Sequence, residues 1–165
     1  MTTILIDKNV MLPMRDGVRL ATDVYRLDSA PPVPVLLTRT PYNKEQTVVG
    51  GGGAAFDIFR AVQAGYAVVI QDTRGRFASE GEFTPHFPEG RDGADTITWA
   101  AAEPWSCGVV GGFGGSYLGG TQWLAPASSP QPCGQWHRRS LLRTCTKAWR
   151  TRAARTSFTA GAGQP

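Results

Sequence analysis

Gly112-Phe113-Gly114-Gly115-Ser116-Tyr117-Leu118-Gly119 follows Val109-Val110, so a short apolar strand runs directly into a serine set among glycines. That arrangement reads as a nucleophile elbow. The serine of such an elbow occupies a strained strand-to-helix turn, and its neighbours must be small for the backbone to fold tightly while Oγ stays exposed above the sheet. Gly114 and Gly119 meet that demand at a G-x-S-x-x-G spacing, one residue longer than the common short form. The competing reading is an ordinary tight turn at a glycine-rich strand end. The surrounding sequence has to decide between them.

Upstream, Val33 to Arg39 is an apolar run ending at Thr40-Pro41-Tyr42, and Tyr66 to Gln71 is another, ending at Asp72-Thr73-Arg74-Gly75. Continuous rather than alternating runs suit parallel strands covered on both faces. Between them, Phe56 to Val62 carries apolar residues at helical spacing, with Gly65 as its stop, so a β-α-β unit is expected. Asp92 to Ala102 reads as a second helix with its acids at the amino end, where the helix dipole favours them. Val10 to Met14 and Val18 to Tyr25 read as a hairpin about Arg15-Asp16-Gly17. The fold class is therefore α/β, with an antiparallel start and a parallel continuation. This is the order of the amino-terminal part of an α/β-hydrolase sheet.

Four blocks now resemble one family. Pro13 to Leu20, Arg39 to Lys44, Gly65 to Gly81 and Gly115 to Trp123 resemble, in order, the CocE/NonD hydrolases, a cocaine-esterase-like group that is similar to the X-Pro dipeptidyl-peptidases. The likeness covers about Val10 to Leu124. It implies an α/β-hydrolase acting on esters or amides by acyl transfer. In that family's terms Ser116 is the nucleophile, the Tyr42 hydroxyl is one oxyanion donor and the Tyr117 backbone N–H is the other. Pro41 restricts the approach to Tyr42, as a rigid donor requires. Read from the residues alone, Tyr42 is a strand-end aromatic with a solvated hydroxyl, and Asp72 and Arg74 are a local turn pair.

Triads on this fold run serine, acid, histidine along the chain. His86 precedes Ser116 in what reads as a loop, His137 follows in a segment without acids, and no Asp or Glu occurs after Glu103. A serine without a base stays a weak nucleophile, so this chain is expected to be inactive. The resemblance implies that the acid, the histidine, a cap and a further β-domain lie in a longer carboxy-terminal region.

The chain has 17 Lys and Arg against 13 Asp and Glu, a net charge of +4. That excess comes entirely from the segment beginning at Ala125, which holds basic residues and no acidic one. Trp136-His137-Arg138-Arg139 and Lys147 to Arg152 suggest a second functional class, a basic module binding nucleic acid or another partner. A reading-frame shift explains the segment better. Ser140 to Thr144, written TCA-CTG-CTG-CGG-ACC, reads ACT-GCT-GCG-GAC from its third base. Continued in that frame, the segment can encode ALRAVAPSVTAADLHEGLAYQGGAYEL, which resembles what the family carries after its nucleophile helix. The expected organisation is thus residues 1–124 as the hydrolase part and residues 125–165 as a frame-shifted tail.

The remaining features are quiet. Cys107, Cys133 and Cys145 form neither a disulfide framework nor a zinc pattern, and Cys107 reads as a reduced structural thiol ahead of the elbow strand. Gly50 to Gly53 is a loop without the Gly-Lys-Ser/Thr of a phosphate cradle. No cofactor or metal is expected. The expected partner is a small-molecule ester or peptide substrate, not nucleic acid and not a membrane, and the oligomeric state stays open. With too short an apolar run at Met1 to Lys8 for a signal peptide, a cytoplasmic location is the default.

Overall fold

The structure is a computed structural model that describes residues 3–28, 30–48 and 56–128. A mixed five-stranded sheet has the order β1-β2-β4-β3-β5. Strands β1 (Ile4–Pro13) and β2 (Arg19–Leu27) form the expected hairpin, longer at its outer end than the apolar pattern suggested. Gly17 takes φ +86° in its turn, and Asp16 Oδ1 accepts the Val18 amide at 3.2 Å. β2 then runs antiparallel to β4 (Ala67–Asp72), while β3 (Val33–Thr40) runs parallel to both β4 and β5 (Ser106–Gly112).

The continuous apolar run of β4 has a direct cause: all six of its residues are buried. Val69, with Val24, Val35, Leu37, Ala67 and Val110, packs on one face under Ala100 of helix α3 (Glu89–Ala102). Val68 and Ile70, with Tyr25, pack on the other under Ile58 and Val62 of helix α2 (Ile58–Gln63). Alternation along the strand thus sends side chains into two cores rather than one core and solvent. α2 begins where Asp57 Oδ1 accepts the Arg60 amide at 2.9 Å, a regular N-cap, and ends ahead of Gly65 at φ +89°. A short helix α1 (Lys44–Val48), which no periodicity signalled, follows Tyr42.

Helix α4 (Ser116–Ala127) lies against α3. The two approach so closely at Gly93 that a Cβ built there would stand 2.6 Å from the Ala125 Cβ. Gly93→Ala is therefore expected to destabilise the fold by about 1–3 kcal/mol through overpacking, despite the gain of about 1 kcal/mol in helix propensity. Urea unfolding measures this, and a variant more stable than wild type would contradict the close packing. Because α4 continues to Ala127, it runs past the sequence boundary drawn at residue 125. The remainder of that segment, with His137, Cys133, Cys145 and the Arg-rich stretches, lies outside the described residues, as does the Gly50–Gly53 loop. Cys107 sits inside β5 and is exposed, where a thiol ahead of the strand was expected. No helix among the described residues is long and apolar enough to cross a membrane.

Candidate active site

At the carboxyl end of β5 the chain turns through Phe113, Gly114 and Gly115 into α4, with Ser116 as the first helical residue. Ser116 holds φ +53°, a left-handed conformation that costs a serine on the order of 1–3 kcal/mol. It is exposed, whereas Leu118 two residues on is fully buried and anchors the turn. Gly114 takes φ +117°, and a Cβ there would meet the Leu118 Cβ at 2.7 Å, so glycine is required on both counts. Gly119 is different: its added Cβ would find its nearest neighbour at an ordinary 3.5 Å. The second close approach lies instead at Gly112, where a Cβ would stand 2.5 Å from Gln122 Oε1. The first-turn amides of α4 have no acceptor within the helix and face the space beside Ser116.

Tyr42 follows β3 at the same edge of the sheet. It is 47% exposed, and its ring meets the Tyr117 ring edge-on at 6.3 Å. The Thr40 Oγ1 accepts the Tyr42 amide at 3.1 Å, and Arg76 Nε donates to the Pro41 carbonyl at 3.0 Å. The structure thus brings the three sequence-identified residues, Ser116, Tyr42 and Tyr117, together.

His86 is a loop residue, but the loop does not stand apart. The His86 ring stacks on Tyr117 with centroids 4.5 Å apart, and its backbone amide donates to the Tyr117 hydroxyl at 3.2 Å. His86 itself holds φ +65°. Tyr117 donates its hydroxyl to Glu89 Oε1 at 2.8 Å. Burial, with the Glu89 carboxylate beside it, pushes the Tyr117 phenol up to about 12.

A buried polar layer continues beneath. Glu89 Oε2 accepts from Arg39 Nη1 at 2.6 Å, and Arg39 Nε donates to Gln71 Oε1 at 2.7 Å. Thr96 Oγ1 donates to the same Gln71 oxygen at 3.0 Å, and Gln71 Nε2 donates to Thr22 Oγ1 at 3.0 Å. Sequence reasoning placed no role on Arg39 or Glu89. The usable signal was a charged residue closing an otherwise apolar core strand, which demands a buried partner.

The expected Asp72–Arg74 turn pair is corrected. Asp72 instead caps α1 by accepting the Lys44 amide at 2.8 Å, and its burial raises its pKa. Arg74 turns away to Asp92, 2.7 Å from Oδ1, and to Asp16, 2.9 Å from Oδ2. Asp92 is the deeper partner and the larger cause of the raised Arg74 pKa. Two successive turn residues serve different elements because the turn lies between α1 and α3. The Asp72-to-Gly81 block is structural: Ser79 Oγ donates to the Asp72 carbonyl at 2.7 Å and accepts the Ala21 amide at 2.8 Å.

A cavity of about 500 Å³ lies at the opposite end of the sheet, between Val33, Tyr66 and Trp105 at the amino ends of the parallel strands. It is remote from Ser116. The elbow end is the edge where open α/β sheets bind ligands.

A strained serine at a strand-to-helix turn, on a sheet of this order, defines the α/β-hydrolase class. The chain belongs to the X-Pro dipeptidyl-peptidase (S15) family, whose pattern matches residues 16–134. It is 54% identical over 123 residues to the cocaine esterase of Rhodococcus sp. strain MB1 Bresler, an alignment covering 74% of this chain and 21% of that protein. Among solved structures it is similar to an alpha-amino acid ester hydrolase, with 34% identity and a TM-score of 0.64 over 74% of this chain and 23% of that one. It is also similar to a CocE/NonD family hydrolase from Staphylococcus aureus, with 28% identity and a TM-score of 0.69 over 77% and 26% of the two chains. The chain spans about a fifth of the length of the curated relative.

Proposed function

We propose that this chain is the amino-terminal part of a serine hydrolase that cleaves esters or amides of small molecules or peptides by nucleophilic acyl transfer. Ser116 Oγ attacks the carbonyl carbon. The oxyanion that forms is held by the Tyr42 hydroxyl and the Tyr117 backbone N–H, and the leaving group departs as the carbonyl is restored. Donors fixed before charge develops are what lowers such a barrier. The observation that carries this reading is the exposed Ser116 at φ +53°, with Tyr117 next in sequence and Tyr42 against the Tyr117 ring.

Attack requires a base to take the Oγ proton and an acid to orient that base. No Asp or Glu follows Glu103, and His86 lies before the elbow. The 165-residue chain is therefore expected to show no catalytic turnover of a nitrophenyl ester between about pH 6 and 9, with Ser116→Ala as the blank for contaminating esterases. Saturable, Ser116-dependent hydrolysis would contradict this. His86→Ala is then the variant to make first, since its imidazole stacks on Tyr117. We propose further that the residues after about 125 are read in a shifted frame, an assignment supported by their missing acids and their second-frame likeness to the family. Resequencing the gene between the codons for Leu124 and Pro130 tests it, and an intact single frame in related genes would refute it. The basic-module alternative rests on residues outside those described.

A further inference from the structure

Arg39 lies on β3 three residues before Tyr42, and Glu89 opens α3. Their side chains form an ion pair with only 3% and 1% exposure. Arg39 Nη1 donates to both Glu89 Oε2, at 2.6 Å, and the Glu89 carbonyl, at 3.0 Å. Arg39 Nε is spent on Gln71 of the neighbouring strand, and Nη2 stands 3.8 Å from Asp92 Oδ2. The guanidinium is thereby held from several sides. Glu89 has one carboxylate oxygen left, and that oxygen takes the Tyr117 hydroxyl at 2.8 Å.

We propose that the Arg39–Glu89 pair is a positioning device that ties Tyr117 at the start of α4 to the end of β3 that carries Tyr42. This inference rests on the oxyanion roles given above to Tyr42 and Tyr117. A buried ion pair is weak as a source of stability, because desolvation offsets most of its attraction, but it strongly favours one geometry. Two donors contributed by separate elements need a common rigid reference if both are to meet one oxygen atom. Without the carboxylate, Tyr117 would retain only ring contacts with Tyr42 and His86 and the His86 amide. Arg39 and Glu89 would touch no reacting atom. They are positioning residues.

Amide hydrogen exchange on the full 165-residue chain reads the tie directly. Tyr117→Phe removes the hydroxyl alone, and Glu89→Gln removes the charge while keeping the shape. Each is expected to speed exchange about tenfold at residues 115–118 and also at residues 42–44 on the other side of the pair. The double variant should exchange no faster than the faster single one, since both break one link. Unchanged exchange at residues 42–44 in Tyr117→Phe would overturn the proposal, and this variant decides it even if Glu89→Gln fails to fold. In a frame-restored, full-length protein, Tyr117→Phe should lower kcat about tenfold with KM unchanged, a split that loss of folded protein mimics only if the folded fraction also falls. An unchanged kcat there would overturn the positioning role. Wild-type hydrolysis by Ser116→Ala, or none by the unaltered full-length protein, would refute the hydrolase reading instead and leave the tie to the exchange result.

Discussion

Ester hydrolysis by a frame-restored, full-length protein should fall on the order of 10⁶-fold in Ser116→Ala, to the floor set by contaminating esterases. Alanine removes the only atom positioned to form the acyl bond, and no neighbour can substitute for it. Gly114 and Gly115 precede the serine, the Tyr117 hydroxyl is engaged by Glu89, and Leu118 is buried. The same substitution should leave stability unchanged or slightly raised, because the left-handed Ser116 stores strain and makes no buried contact. Steady-state kinetics with a nitrophenyl ester, alongside a thermal melt, separates the two effects. Wild-type turnover in the variant would remove Ser116 from the mechanism.

Tyr42→Phe in the same protein should reduce kcat by about 10²-fold, the usual loss for one oxyanion donor. The ring would remain, so the edge contact with Tyr117 and the route of the chain out of β3 are preserved. The Tyr42 amide bond to Thr40 and the Arg76 bond to the Pro41 carbonyl involve backbone atoms of the tyrosine segment and survive the substitution. A loss confined to kcat marks a donor that acts in the transition state; a rise in KM alone would mark a residue that only contacts substrate. Unchanged kinetics would return Tyr42 to the role of a solvated aromatic at a strand end.

The parts of this fold legible in the sequence are those governed by local pattern. Continuous apolar runs announced β3 and β4 because both of their faces are buried, and Asp-Gly announced the hairpin turn because Gly17 sits at positive φ. The elbow was legible through Gly114, where backbone angle and Leu118 both exclude a side chain. The pairing of Gly119 with Gly114 was the weaker half of that argument, for the close approaches fall at Gly112 and Gly114 instead. What stayed hidden was set by contacts across long sequence separations. Arg74 was expected to pair with Asp72 two residues away, but Asp92 offers it a deeper site from α3. His86 read as a remote loop residue, yet the fold stacks it on Tyr117 thirty-one positions later. No periodicity reports such pairings, although Arg39, a charge in a core strand, signalled that a buried anion had to exist.

Covalent trapping tests the central claim most directly. The frame-restored protein, treated with a fluorophosphonate and digested, should yield one modified peptide with the phosphonyl group on Ser116, and pretreatment with a competing ester should slow its appearance. A phosphonyl group found on any other residue, with Ser116 unmodified, would contradict the assignment of this elbow as the nucleophile's seat.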